Sequence, residues 1–438
     1  MNLKDDSRKI KKGDTFIALK KVHDGHEYIN DAIKNGANKI IAERGNYEVD
    51  TLIVPDTHKY LVDYLYDNYY DKIKHLKLIG MTGTNGKTTT CFLIYQALNK
   101  LNIKCAYIGT IGFYLDKKVR DLSNTTPDIL EIYEMLLECA FNDIEYVVME
   151  CSSHALSMKR LDKLKFKFGI FSNLTEDHLD YHGSFDNYVK AKQILFDNVT
   201  DKTFVNIDDE YKDYFIKDNS ITYGLNKSDY HLTDYVIGLD GSSFKVNGNS
   251  YKTKLIGKHN LYNILVVIAL LSELNLDTSV IENLECPKGR MDIVRKESNL
   301  VIVDYAHTPD AVLKIITAVK ELNPNHIITI VGCGGDRDPY KRPIMSNIAC
   351  SNSDHVIITN DNPRSENPNN IVSDMLHNLD KFNYEIILNR KNAIIKGIQM
   401  LDKNDILLVL GKGHETYQII NNKRYNFDDK EVVLENIN

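Results

Sequence analysis

Three kinds of residue stand at spacings that can do chemistry: a glycine-lysine-threonine loop, single acids and histidines that close apolar runs, and arginines in late polar loops. The first is Leu78-Ile79-Gly80-Met81-Thr82-Gly83-Thr84-Asn85-Gly86-Lys87-Thr88-Thr89-Thr90. A short strand leads through a glycine-rich turn into a helix, the order in which backbone N–H groups surround phosphate. Gly83 and Gly86 let backbone approach an anion, Lys87 brings a point charge to the outer phosphates, and Thr88 offers a hydroxyl to Mg²⁺. Met81 stands where the common pattern has its first glycine, so the loop is a variant. A nucleoside-triphosphate site is expected over Gly83, Thr84, Asn85, Gly86, Lys87, Thr88 and Thr89.

The second kind begins with Tyr146-Val147-Val148-Met149-Glu150, a buried-strand pattern that delivers one carboxylate at its carboxyl end, ahead of Cys151-Ser152-Ser153-His154. A strand end of this kind often supplies a nucleotide site with its second magnesium ligand, so Glu150 is expected to accompany Thr88. Residues 168–171 repeat the arrangement and run into Ser172-Asn173-Leu174-Thr175-Glu176-Asp177-His178. His178, shortly after a parallel strand on the same edge as Glu150, suits metal or phosphate chemistry. Asn124-Thr125-Thr126-Pro127 presents an amide and two hydroxyls before a helix over 128–141. They can dock a phosphate or carbonyl, but the residue types alone favour simple helix caps. Lys190 and Lys192, on a helix over 188–196, read from their types as solvated surface lysines.

The third kind lies in four successive strand-to-loop junctions. Residues 300–304 lead into Tyr305-Ala306-His307-Thr308-Pro309, 327–331 into Gly332-Cys333-Gly334-Gly335-Asp336-Arg337-Asp338, 355–359 into Asp361-Asn362-Pro363-Arg364, and 405–410 into Gly411-Lys412-Gly413-His414-Glu415. This regularity predicts a parallel sheet whose carboxyl edge gathers Asp304, Arg337, Arg364 and Glu415 in one crevice. Two arginines there suit a ligand carrying carboxylates, because each guanidinium can hold one bidentately.

These groups must be positioned by an α/β chain. At about 150 residues per domain, 438 residues suggest roughly three. A small N-terminal α/β domain is expected over 1–75, with strands at 15–19, 39–42 and 51–54 and a helix over 28–35 stopped by Gly36. A central P-loop ATPase domain with a mostly parallel sheet follows over 76–288, with a first helix over 87–101 and a strand over 105–111. It includes a β-rich stretch over 203–254 that turns at Leu239-Asp240-Gly241 and Asn247-Gly248. In it Gly257-Lys258-His259-Asn260-Leu261-Tyr262-Asn263 is expected to cap an apolar helix over 264–274. Near Pro287-Lys288-Gly289-Arg290 the pattern restarts as a C-terminal Rossmann-like domain over 289–438. The formal charge of −7 argues against nucleic acid or an anionic membrane as the main partner and favours a small ligand. Seven scattered cysteines without Cys-x-x-Cys spacing read as reduced structural thiols. The amino terminus is charged, and the longest apolar run, 264–271, is too short to span a bilayer, so a cytoplasmic protein is expected.

The same segments resemble the Mur ligases, ATP-dependent amide-forming enzymes of peptidoglycan precursor synthesis. The likeness is carried by Gly83 to Thr89, Asn124-Thr125-Thr126-Pro127, Glu150-Cys151-Ser152-Ser153-His154, Asn173-Leu174-Thr175-Glu176-Asp177-His178, Asp304-Tyr305-Ala306-His307 and the last three loops; Asp5-Asp6-Ser7-Arg8 extends it weakly into the first domain. Within the family, Asp361-Asn362-Pro363-Arg364 and Gly411-Lys412-Gly413-His414-Glu415 resemble members that add the third stem-peptide residue, in the arginine form that takes meso-2,6-diaminopimelate. Diaminopimelate differs from lysine by a second amino-acid head, whose carboxylate Arg364 can pair with while Glu415 holds its ammonium.

The resemblance implies roles position by position. Lys87, Glu150, His178 and Lys192 would be catalytic, and Asn263, Arg290 and Asp304 would join the ATP site. Thr88, Glu150, His178 and Lys192, the last as a carbamate, would serve Mg²⁺, which overturns the surface reading of Lys192. Ser7, Asn124, Thr125, Thr126, Ser152 and Arg160 would bind UDP-MurNAc-L-Ala-D-Glu. Arg337, Asp361, Asn362, Pro363, Arg364, Gly411 and Glu415 would bind diaminopimelate. A monomer that meets neither nucleic acid nor membrane is implied. Three features depart from the family pattern: Met158 replaces a frequent glutamine, Tyr340 a usual glycine, and the first domain is short, with Lys21-Val22-His23 not matching the usual uridine contact. The implied reaction passes through an acyl phosphate. Its rivals are the same ligation with L-lysine, a folylpolyglutamate-synthase-like ligase and, from another class, a non-catalytic ATP-binding regulator.

Overall fold

The computed structural model describes residues 1–21 and 23–437; Val22, within the departing segment Lys21-Val22-His23, and Asn438, the end of the expected third domain, lie outside them. The chain divides into two compact units, Met1–Lys87 with Leu98–Thr222, and Thr88–Ala97 with Tyr223–Asn438.

The first unit opens with a parallel four-stranded sheet in the order Leu3–Lys4, Thr15–Ile17, Lys39–Ala42, Asp50–Ile53. Phe16, Ala18, Ile29, Ala32 and Ile40 form a small core against it. Gly36, at φ +107°, ends the helix that starts at Ile29. The helix Thr57–Ile73, capped by Asp56, leads into the main sheet. That sheet places Val199–Asn206, Phe166–Phe171, Lys77–Thr82, Tyr146–Glu150 and Cys105–Gly109 side by side, all parallel, and adds Gly112–Tyr114 and Lys118–Arg120 antiparallel. The interior strands are apolar nearly throughout because both faces are covered. Lys77–Thr82 lies in the middle, with Met81 opposite Glu150 and Thr82 opposite Phe171. The loops that begin at Gly83, Cys151 and Ser172 therefore leave the sheet at one level, on its carboxyl edge.

In the second unit Tyr230–Gly238, Gly241–Val246 and Asn249–Thr253 form an antiparallel meander, turning at both expected points. The next helix, Lys258–Glu273, starts six residues earlier than the sequence suggested. Lys258 to Asn263 are helical rather than a cap: Asn260 Nδ2 donates to Ile256 O, just before the helix, and Asn263 Nδ2 to Asn260 Oδ1, both at 2.9 Å, so both side chains are spent on buried partners. The larger sheet runs Asp292–Lys296, Asn299–Asp304, Ile406–Leu410, Ile327–Val331, His355–Ile358, Tyr384–Ile386, parallel except for the first strand. The last long apolar strand of the chain is thus inserted at the centre. Helices cover both faces and bury separate cores, one around Ile302, Ile316 and Met345, the other around Val303, Ile394 and Val433. A hairpin, Tyr417–Ile420 with Lys423–Asn426, follows the central strand. Among the described residues no helix is long and apolar enough to cross a membrane.

Candidate functional site

The phosphate loop is shaped by its glycines. Gly83 has φ +147°, and a Cβ there would lie 2.0 Å from Ser172 Oγ; Gly86 has φ +88°. The loop is tied to the neighbouring strand end by Thr84 N to Asn173 O at 2.8 Å, Asn85 N to Asn173 Oδ1 at 2.9 Å and Ser172 Oγ to Asn85 O at 2.7 Å. Lys87 Nζ folds back to Gly83 O at 2.8 Å and Thr84 O at 2.9 Å. Lys192 Nζ reaches the same Gly83 carbonyl, also at 2.8 Å. Two lysine nitrogens converge on one turn, that of the loop which would hold a polyphosphate.

Lys192 is 1 % exposed, so the reading of it as a surface lysine fails. The helix Phe185–Asp197 turns Tyr188, Val189, Ala191, Lys192 and Leu195 inward as one face, and the lysine shares that face with apolar residues. Its Nζ lies 4.5 Å from the Tyr188 ring centroid, and Tyr188 Oη bonds Thr84 Oγ1 at 3.0 Å. Burial, reinforced by the charge of Lys87, pushes the Lys192 ammonium well below its ordinary pKa. A neutral amine is the form that adds carbon dioxide. His178 starts a short helix from a left-handed backbone, φ +54°, with its ring 4.6 Å from His154 and 6.5 Å from Tyr188. His182 bonds Ser153 Oγ at 3.0 Å.

Glu150 is fully buried at its strand end and accepts from Thr110 N at 2.9 Å, Thr110 Oγ1 at 3.2 Å and, closely, Tyr107 Oη. Beside it Thr126 donates to Glu150 O at 2.7 Å and accepts from Ser152 N at 3.0 Å, while Thr125 Oγ1 meets Thr110 Oγ1 at 3.0 Å. The hydroxyls at 125 and 126 are therefore links between strand ends, whereas the following helix takes Asp128 as its N-cap residue. Arg160 donates to Thr126 O at 2.8 Å, pairs through Nε with Asp128 at 2.9 Å, and contacts Met158 Sδ at 3.4 Å. Thr125, Thr126, Ser152 and Arg160 are thus brought together, and Asn124 stands exposed at their edge. Ser7 is not in this cluster: it is buried in a short 3₁₀ turn, its carbonyl held by Asn35 Nδ2 at 2.9 Å. Lys21 provides a link the sequence did not suggest, bonding both Asp5, at 2.8 Å, and Asp128.

In the second unit Thr88 and Thr89 are buried in the first turn of the helix Lys87–Lys100, and Thr90 Oγ1 donates to Asn263 Oδ1 at 3.0 Å. Arg290 lies over the Tyr305 ring at 5.1 Å, and its buried Nε has no hydrogen-bond partner among the described residues. Asp304 accepts from Met291 N at 2.7 Å and Ala306 N at 2.8 Å; burial raises its pKa against the pull of Arg290. Arg364 has a left-handed backbone, φ +52°, held by Ile419 O, and its Nη1 donates to Gly335 O at 2.6 Å. A Cβ on Gly334 would come within 2.8 Å of that Nη1 and 3.7 Å of Arg337 Cγ, so the arginine loops adjoin. Asp361 lies against Gly411, where a Cβ would be 2.6 Å from its carboxylate, and Asn362 Nδ2 donates to Glu415 Oε2 at 2.8 Å. Gly411 N donates to Asp304 O at 3.1 Å, so the four loops adjoin at the carboxyl edge of the sheet.

Among the described residues no group of three His, Cys, Asp or Glu side chains is arranged to hold a metal. The expected magnesium set includes a threonine and a modified lysine, and its donors, hydroxyl, carboxylate and carbamate oxygen with one imidazole, fit a hard cation.

The sequence was compared with known proteins. Residues 81–271 match the model of the Mur ligase middle domain, and residues 289–413 that of the Mur ligase glutamate ligase domain. UDP-N-acetylmuramoyl-L-alanyl-D-glutamate--2,6-diaminopimelate ligase of Clostridium botulinum is 40 % identical over 98 % of this chain and 93 % of its own length. The enzyme of that name from Clostridium perfringens is 40 % identical over 99 % and 94 %. A solved structure of a ligase with that name superposes with a TM-score of 0.70 at 32 % identity, covering 99 % of this chain and 94 % of the other.

Proposed function

The chain belongs to the Mur ligase family, and we propose that it joins meso-2,6-diaminopimelate to the D-glutamyl γ-carboxylate of UDP-MurNAc-L-Ala-D-Glu at the expense of ATP. The observation that carries the ligase reading is the buried Lys192, which meets the phosphate loop at Gly83 O. A nucleotide-binding regulator has no need of a desolvated lysine there.

In this reading residues 1–75 serve the uridine-linked sugar, 76–288 ATP and 289–438 the amino acid. A carboxylate is a poor electrophile, so its oxygen first attacks the γ-phosphorus of ATP; ADP leaves and an acyl phosphate forms. The amine then attacks the acyl carbon, phosphate departs, and the amine's proton passes to solvent or base. Lys87 carries charge on the phosphates, and the loop N–H groups fix them in line with the carboxylate. Thr125, Thr126, Ser152 and Arg160, tied to one another, hold the sugar peptide so that its carboxylate cannot swing away, with Asn124 at their rim and Ser7 towards the uridine. Thr88, Glu150, His178 and the carbamate of Lys192 would hold Mg²⁺, which would supply positive charge to the phosphoryl oxygens. Carbamylation turns Lys192 from an amine that offers magnesium no negative charge into an anion that attracts it. Asn263, Arg290 and Asp304 complete the nucleotide contacts. Arg337, Asp361, Asn362, Pro363, Arg364, Gly411 and Glu415 surround the amino acid, Arg364 and Glu415 reading its distal head.

Phosphate release measured with each substrate omitted in turn tests the reading. Release that requires the UDP-sugar dipeptide and diaminopimelate together is expected. Equal turnover with neither present, or better use of L-lysine than of diaminopimelate, refutes it.

A further inference from the structure

Lys412 takes no part in the assignments above, yet its side chain is 0 % exposed. A lysine is buried to that degree only when its ammonium is paired. Its Nζ donates to Glu415 Oε2 at 3.0 Å and to Asn362 Oδ1 at 3.2 Å, and lies 5.5 Å from the Tyr417 ring centroid. Asn362 closes the triangle, its Nδ2 donating to the same Glu415 Oε2 at 2.8 Å while its Oδ1 also accepts from Ile419 N at 2.9 Å. The backbone that carries Lys412 is clamped on both sides. Gly411 (φ +114°) packs so that a Cβ would meet Asp361 Oδ2 at 2.6 Å, and one on Gly413 (φ +51°) would meet Gly289 O and Tyr305 Cβ at 2.7 Å.

The triangle divides the Glu415 carboxylate. Oε2 takes two donors, one of them cationic, and no protein donor among the described residues reaches Oε1. An incoming ammonium thus has one oxygen to bind, in a fixed orientation. Without Lys412, Asn362 alone would orient the carboxylate, which would also be half-buried with uncompensated charge.

We propose that Lys412 is a positioning residue for the amino-acid substrate, acting through Asn362 and Glu415 to present Glu415 Oε1 to the ammonium of diaminopimelate. The inference rests on the amino-acid pocket assigned above. An ammonium that no longer meets Glu415 Oε1 in line forfeits a charge-assisted hydrogen bond, a loss of about 10- to 100-fold in binding.

The test uses the full-length protein with Lys412→Met, Glu415→Gln and the double variant, measuring phosphate release as each substrate is varied. The expected result is a KM for diaminopimelate raised at least about tenfold in Lys412→Met, with the KM values for ATP and the sugar dipeptide unchanged, and a double variant no worse than Glu415→Gln alone. A merely structural role would lower kcat or soluble yield and leave the amino-acid KM alone. An unchanged KM for diaminopimelate, or multiplicative losses in the double variant, overturns the proposal. If Lys412→Met does not melt as a folded protein, Lys412→Arg keeps the charge with altered reach; the same selective rise in KM supports the proposal and an unchanged KM overturns it. If the unmodified protein ignores diaminopimelate, the function proposed above and this inference fall together; if it uses diaminopimelate and the variants bind it normally, only this inference falls.

Discussion

Replacing Arg390 with methionine removes the centre of a buried ionic junction. Its Nε and Nη2 each donate to Asp429 at 2.7 Å, Nη2 also donates to Leu410 O at 2.9 Å, and Nη1 to Asn360 O at 3.3 Å. Both side chains are completely buried. Methionine fills similar space but leaves the Asp429 carboxylate desolvated without its partner, a defect that costs about 3–5 kcal/mol. For a unit of this size each kcal/mol lowers the melting midpoint by about 2–4 °C, so about 4 kcal/mol predicts a fall of about 8–16 °C. Thermal melting of the whole chain reports both units, and hydrogen exchange at the amides of Ile406–Leu410 assigns the change to the second. Arg390→Met with Asp429→Leu removes both charges and should recover most of the loss, leaving about 1–3 kcal/mol for the two carbonyls without their donor. A midpoint drop below about 2 °C in the single variant, or a double variant no more stable than the single, would refute the reasoning. Leu410 and Asn360 immediately precede Gly411 and Asp361, so the single variant is also expected to weaken diaminopimelate binding before it abolishes ATP binding.

Gly83→Ala places a methyl 2.0 Å from Ser172 Oγ at φ +147°; the stabilisation against melting that ATP confers on the unmodified protein should vanish, and its retention would contradict the loop geometry. Arg364→Ala should lower kcat/KM for diaminopimelate by about 10- to 100-fold, equivalent to about 1.5–3 kcal/mol, while rates with L-lysine barely move; equal losses for both amino acids would show that Arg364 does not read the distal carboxylate. Incubation with bicarbonate should add one carbon dioxide to the protein, absent from Lys192→Ala, by intact mass. Only the neutral amine reacts, and burial and Lys87 lower the pKa of Lys192, so uptake should rise with pH. For the unmodified amine, the unfolded chain binds more protons than the folded one between that lowered pKa and the ordinary value of about 10.4, so this group's contribution to stability also rises with pH across that window. Urea midpoints that fall there relative to Lys192→Ala would reverse the sign.

Local chemistry was legible because its signals are local. The phosphate loop needs its glycines, lysine and threonine within a few residues, and the order strand, turn, helix is written in apolar periodicity. Glu150, His178 and the loops carrying Arg337, Arg364 and Glu415 were found the same way, as polar residues that terminate apolar runs. The start of the helix at Lys258 was missed because Asn260 and Asn263 look like cap residues until their buried partners are known. The motif Gly411-Lys412-Gly413-His414-Glu415 was visible, but nothing in it marked Lys412 as buried.

What the chain alone determined, then, is which groups can act and on which strand ends they sit. The tertiary structure decided which of them are desolvated and which meet. Lys192 and Gly83 are 109 residues apart, Asn362 and Glu415 53, and Thr126 and Ser152 26. Residues 406–410 had to enter between 299–304 and 327–331 before the last loop could face Asp361. Residue type fixes a side chain's charge and hydrogen-bonding capacity, but burial and partnership arise only when distant strands pair, and the phosphate loop that marks the energy source acquires its second lysine by the same means.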